Sequence, residues 1–151
     1  MEDPLRRSLT LTAVLIAALT FSAFAAAAGS PASVDLRKTK DGSILVNSKG
    51  FTLYAFSKDS KNKDACIKIS MCTTFWPPLT TSAKPAAGPG VKSSLLSTIP
   101  YKGQLKQVTY AGMPLYTYSQ DSAPGNTAYI NVTASGGRWP AVDAAGKQVT
   151  G

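Results

Sequence analysis

From Ser33 onward, apolar and polar residues alternate in short runs, and no segment sustains the 3.6-residue apolar period of an amphipathic helix. Val34 and Leu36 alternate with polar neighbours up to a turn at Lys40-Asp41-Gly42, and Ser43 to Asn47 reads as the returning strand. Asp-Gly between two extended runs is a hairpin signal. A second turn at Ser48-Lys49-Gly50 leads into a strand from Phe51 to Ser57. The same plan follows later: a strand over 95–99, a turn at Lys102-Gly103, strands over 105–110 and 113–119, and a turn at Ala111-Gly112 between them. Thr80 to Ser94 is rich in Pro, Gly, Ala and Ser and reads as an ordered-to-flexible connector without a helix. The pattern predicts an all-β fold with little or no helix.

The resemblance between the halves extends to individual residues. Gly50, Leu53, Tyr54, Phe56, Ser57 and Asp59 return as Gly112, Leu115, Tyr116, Tyr118, Ser119 and Asp121, and Val46 matches Val108 at the same spacing. Trp76-Pro77-Pro78-Leu79 closes the first copy, and Trp139-Pro140-Ala141-Val142 closes the second one residue further along. Isolated hairpins are marginal, so neither copy can bury a core alone. The expected organisation is a single pseudo-twofold domain, residues 34–151, made of repeat one (34–79), a connector (80–94) and repeat two (95–151). Side chains two apart on a strand share a face. Tyr54 with Phe56, and Tyr116 with Tyr118, therefore point one way, and Leu53 and Leu115 the other. Each Trp is expected to lie as a lid over the aromatic pair of its own copy. Asp59 and Asp121 open turns, where an aspartate accepts hydrogen bonds from the backbone two residues on.

The N-terminus changes the picture of location. Arg6-Arg7, an apolar tract from Leu9 to Ala28 and small residues before Gly29-Ser30-Pro31 form the layout of a secretory signal. Residues 1–28 are read as a cleaved signal and 29–33 as a disordered lead. An uncleaved N-terminal anchor is the rival reading. The end of the tract has no cysteine for a lipid anchor, so the expected product is secreted or sits on the outer face of the cell envelope. The net charge of +8 comes mainly from lysine, with a cluster at Lys58, Lys61, Lys63 and Lys68. Lysine without arginine forks or repeated stacking motifs is a poor nucleic-acid signature. Anionic cell-wall polymer, lipid head groups or an envelope protein are the partners such a surface suggests.

Histidine is absent, which removes the commonest general base and the commonest metal ligand. The leading reading is a non-enzymatic binding or structural module, with Tyr54, Phe56, Asp59, Trp76, Tyr116, Tyr118, Asp121 and Trp139 as the motif candidates and no cofactor. The enzymatic alternative brings Asp59 and Asp121 together across the pseudo-twofold as the carboxylate pair of a hydrolase. Cys66 and Cys72 lie close in sequence within the first copy's loop, and in an exported protein such a pair forms a disulfide. The competing use of Cys66, Met71 and Cys72 is a soft copper(I) site, which with the surrounding aromatics frames a third reading, a copper- or haem-linked redox protein.

With Tyr54-x-Phe56-x-x-Asp59, Tyr116-x-Tyr118-x-x-Asp121, the stretch from Cys66 to Trp76-Pro77-Pro78-Leu79, the run Gln107-Val108-Thr109-Tyr110 and the triplet Pro114-Leu115-Tyr116, the chain resembles a bacterial family described as secreted repeats or predicted lipoproteins with a Tyr-x-aromatic-x-x-Asp motif. The resemblance covers about residues 44 to 146. It implies export and a two-repeat build and brings no assigned reaction. The lipid-anchored members carry a cysteine at the signal's end that this chain lacks.

Overall fold

The computed structural model describes residues 31–151. The signal-like tract therefore lies outside the described residues. Strand β1 (Ser33–Thr39) pairs antiparallel with β2 (Gly42–Asn47), in register from Val34 opposite Asn47 to Thr39 opposite Gly42. Gly42 turns the chain at φ 105°, a conformation that glycine adopts without a Cβ clash.

The connector contributes two short strands. β3 (Thr80–Thr81) and β4 (Ala86–Ala87) are two-residue strands, and β4 runs parallel along β1. Ala32, in the expected disordered lead, accepts the Ala86 N–H through its carbonyl at 2.9 Å, and Ser33 already belongs to β1. The free edge of β1 would otherwise leave backbone groups unpaired. Gly88 lies so close to β1 that a Cβ there would run into the Asp35 carboxylate. Beyond a 3-10 turn at Ser93–Leu95, β5 (Leu96–Pro100) pairs with β6 (Lys106–Tyr110), and β6 also pairs with β3 and with β7 (Met113–Pro114). Two small hairpins complete the fold: β8 (Val132–Ala134) with β9 (Gly137–Trp139), and β10 (Ala141–Val142) with β11 (Gln148–Val149). Among the described residues the one α-helix is a single turn at Cys72–Phe75, so the fold is all-β as the alternation predicts.

The hairpins β1–β2 and β5–β6 are equivalent, but the equivalence is shifted by one residue from the sequence match. Leu53 N–H bonds to the Leu45 carbonyl (3.0 Å), and Leu115 N–H to that of Val108 (3.0 Å). Leu45, not Val46, is thus the counterpart of Val108, and both are fully buried in one core cluster. Gly50 and Gly112 nevertheless turn alike, at φ 82° and 80°. The turn after β6 is one residue shorter than that after β2, which restores the common phase at the motif.

The expected strands over 51–57 and 113–119 are regular only at β7. Elsewhere their N–H groups alternate between different partners, so bridges replace a continuous ladder. The alternation of faces is nevertheless strict. Leu53, Ala55 and Leu115 enter a core with Val34, Leu45, Val91, Val108, Tyr110 and Val142, whereas Tyr54, Phe56 and Tyr116 enter a second core with both Trp side chains and both cysteines. The motif segments form the layer shared by two cores.

Candidate functional site

The pseudo-twofold passes between Tyr54 and Tyr116. Tyr54 N–H donates to the Tyr116 carbonyl (2.8 Å) and Tyr116 N–H to the Tyr54 carbonyl (3.0 Å), the reciprocal exchange of an antiparallel pair. On its outer edge each motif segment receives the other copy's Trp-Pro tail. Ala55 N–H bonds to Pro140 O and Ser57 N–H to Arg138 O, while Thr117 N–H bonds to Pro77 O and Ser119 N–H to Phe75 O, each at 2.9 Å. The tails are therefore exchanged between the repeats.

The exchange corrects the expected role of the tryptophans. Trp139 stacks face to face on Phe56 of the first copy (4.2 Å, 14°), and Trp76 on Tyr118 of the second (4.1 Å, 25°). The two indoles stack on each other at 4.0 Å and 2°. Each Trp meets the tyrosine of its own copy edge-on, Trp76 with Tyr54 at 5.2 Å and Trp139 with Tyr116 at 5.1 Å. Tyr129 then packs edge-on against Tyr118 at 4.7 Å. Phe56, Trp139, Trp76, Tyr118 and Tyr129 form one continuous ladder.

The aspartates are exchanged too. Tyr54 Oη donates to Asp121 Oδ2 (3.0 Å), and Tyr116 Oη donates to Asp59 Oδ2 (2.8 Å). Asp59 Oδ1 also accepts the Ala65 N–H at 2.7 Å, which fixes the start of the disulfide loop. The backbone turns expected at these positions are present, with Asp59 N–H on Phe56 O and Asp121 N–H on Tyr118 O, but the carboxylates reach across the repeats instead of capping the backbone two residues on. From the Tyr54–Tyr116 pair the two chains run in opposite directions, so Asp59 and Asp121 end on opposite sides of it. Neither carboxylate perturbs the ionisation of the other. The fold pairs each of them with a tyrosine and does not bring them into one cleft.

Burial dominates the electrostatics. It pushes Asp59 up to about 6 against the lowering effect of the Ala65 N–H and the Tyr116 hydroxyl. It pushes Asp121 to about 6 against the Tyr54 hydroxyl. Both phenols are held far above their ordinary range, first by burial and then by the facing carboxylate charge, to which Asp64 adds at Tyr116. At neutral pH each pair is a neutral phenol donating to a carboxylate.

Cys66 and Cys72 are joined in a disulfide with both residues buried, so neither sulfur is a free thiolate for a copper(I) site in this state. The short ring predicts that replacing both cysteines by serine lowers stability by about 2 kcal/mol, read as a drop in the urea midpoint without loss of cooperativity.

Two features lie outside the sequence-predicted set. Tyr129 extends the ladder but sits in a loop that does not repeat, so internal comparison gave no signal for it. Ile67, Met71 and Phe75 are exposed, although their spacing of four residues inside a lysine-rich loop was visible in the sequence.

The fold and site define an all-β protein of two interlocked repeats built on exchanged aromatic and carboxylate contacts. A family model described as Lipoprotein_15, a secreted repeat of unknown function, matches residues 36–80 and 102–143, and the chain belongs to that family. No curated protein and no solved structure matches the chain.

Proposed function

We propose that this protein is an exported, non-enzymatic module that docks on an anionic lipid surface through the disulfide loop of its first repeat. The observation that carries this reading is a run of apolar side chains, close in sequence, that the fold leaves uncovered. Of the four large hydrophobic side chains exposed among the described residues, three lie in this loop: Ile67 (41%), Met71 (57%) and Phe75 (43%). The disulfide and the single helical turn fix the segment that presents them. Met71 itself is held at φ 61°, a left-handed conformation uncommon for a residue with a side chain.

Lys61, Lys63 and Lys68 are exposed in the same loop, and the chain as a whole carries +8. Apolar side chains that enter the head-group boundary, with lysines beside them to meet lipid phosphates, match the two components of interfacial binding. A cell-wall polymer would use the charge and leave these apolar side chains wet. The family's description as secreted accords with a site of action outside the cytoplasm.

Vesicle co-sedimentation tests the reading. The protein is expected to bind phosphatidylglycerol vesicles and not phosphatidylcholine vesicles, with binding weakened by salt. Met71→Asp is expected to weaken binding roughly tenfold or more, since it exchanges an inserted apolar group for a charge repelled by the lipid. Binding that is unchanged in Met71→Asp, or equal retention on purified anionic wall polymer, overturns the lipid assignment.

A further inference from the structure

The protein builds its two cores from different material. The first is largely aliphatic and contains one tyrosine, Tyr110, whose hydroxyl accepts the Lys92 N–H and donates to the Ala144 carbonyl. The second is an aromatic ladder that runs from fully buried indoles to the half-buried Tyr118 and Tyr129. At the edges of the indole pair stand two tyrosines, and each donates its proton to a carboxylate. Packing does not account for a carboxylate at Asp121. Burying an ionised group is costly, and an asparagine there would accept the Tyr54 hydrogen bond without that cost, whereas Asp59 uses its second oxygen for the Ala65 N–H.

We propose that this assembly is a one-electron relay, in which an oxidising equivalent entering at Tyr118 or Tyr129 crosses the stacked Trp76–Trp139 pair and comes to rest on Tyr54 or Tyr116 as a neutral tyrosyl radical. The external partner is a high-potential one-electron oxidant, such as an oxidised metal complex, which gains one electron. Tyr54 loses that electron, and its O–H bond breaks as the proton passes along the 3.0 Å hydrogen bond to Asp121. The products are the reduced oxidant, a neutral tyrosyl radical and a protonated Asp121. Tyr116 and Asp59 form the equivalent pair at 2.8 Å. A one-electron reductant reverses the step, and the proton returns to the phenolate oxygen. Moving the proton in place keeps a positive charge from developing on a buried phenol. Tyr110, hydrogen-bonded to a backbone carbonyl, has no such acceptor. The relay is independent of the lipid-docking reading.

The test is flash photolysis of the full protein with photogenerated tris(bipyridine)ruthenium(III) as the oxidant, following radicals by transient absorption and electron paramagnetic resonance. A tyrosyl signal is expected at neutral pH, formed more slowly in D2O. In the double variant Asp59→Asn/Asp121→Asn its formation is expected to slow roughly tenfold or more, as for loss of a positioned base. Trp76→Phe is expected to lower the yield severalfold, and Tyr101→Phe, outside the ladder, to leave it unchanged. Acidification of the unaltered protein through pH 6 protonates the same carboxylates and is expected to reproduce the Asn effect, so the outcome does not depend on any variant folding. Absence of a tyrosyl signal, its loss in Tyr101→Phe, or kinetics indifferent both to the Asn variant and to acid overturns the proposal.

Discussion

Replacing Trp139 by alanine is expected to destabilise the protein by about 3–5 kcal/mol, the range for truncating a large buried aromatic. Trp139 is fully buried, lies between Phe56 and Trp76 and meets the edge of Tyr116, so its loss opens a cavity bounded by residues of both repeats. Against a total stability of about 5–15 kcal/mol for a domain this size, that is roughly a fifth of the whole at the least. In urea the midpoint is expected to fall by roughly 2 M at unchanged slope. Trp139→Phe retains a stacking partner and is expected to cost about half as much. Because the Trp-Pro tails are exchanged, unfolding is expected to remain a single transition by both fluorescence and circular dichroism. Two resolved transitions would mean that the repeats hold themselves together separately.

The repeat was legible in the sequence because its residues return at fixed spacing, and the fold class because the alternation predicts strands. Tyr54 and Phe56 sharing a face against Leu53 follows from the period-two rule, and the structure places them in separate cores accordingly. What a repeat cannot convey is which copy a side chain serves. In a pseudo-twofold pair, a Trp lid on its own copy and a Trp lid on the other have the same sequence signature. The exchange is decided by the Tyr54–Tyr116 pairing, which brings each motif alongside the other copy's tail. Asp59 and Asp121 illustrate the same limit. Local chemistry reads a turn-former, and the backbone does turn there, but the carboxylates are taken by tyrosines 57 and 67 residues away in sequence. Leu45 replacing Val46 as the partner of Val108 records a compensated shift: β2 is displaced by one residue and a longer turn corrects it before the motif. A constant spacing on either side concealed it. The two short strands of the connector left no mark in the sequence, because a stretch rich in Pro, Gly, Ala and Ser shows no alternation; they form where β1 and β6 offer edges to pair.

The protein is expected to be more stable near pH 4–5 than at pH 7, the reverse of the usual behaviour of paired carboxylates. Asp59 and Asp121 are raised by burial to about 6, from a value of 3.8 for a free side chain. Between those values the folded state holds more protons than the unfolded chain, so stability falls as pH rises. The stabilisation is fully present below the unfolded value and is lost as pH climbs through 6. After allowance for solvent reaching the partly exposed Asp59, each group contributes roughly 1–2 kcal/mol. The expected rise in Tm from pH 7.5 to pH 4.5 is about 5–10 °C. Each proton taken up carries the net charge beyond +8, and self-repulsion bounds the gain. Asp121→Asn, which keeps an acceptor for the Tyr54 hydroxyl, carries the protonated state's neutrality at every pH, so its Tm is expected to lie near the parent's at pH 4.5 and above it at pH 7.5. Tyr54→Phe acts in the opposite sense. It removes the one hydrogen bond that lowers the Asp121 value, drives that carboxylate further up and steepens the loss of stability above pH 6. A parent protein whose Tm falls as pH drops from 7 to 5 would show that the tyrosine hydrogen bonds outweigh burial at both carboxylates.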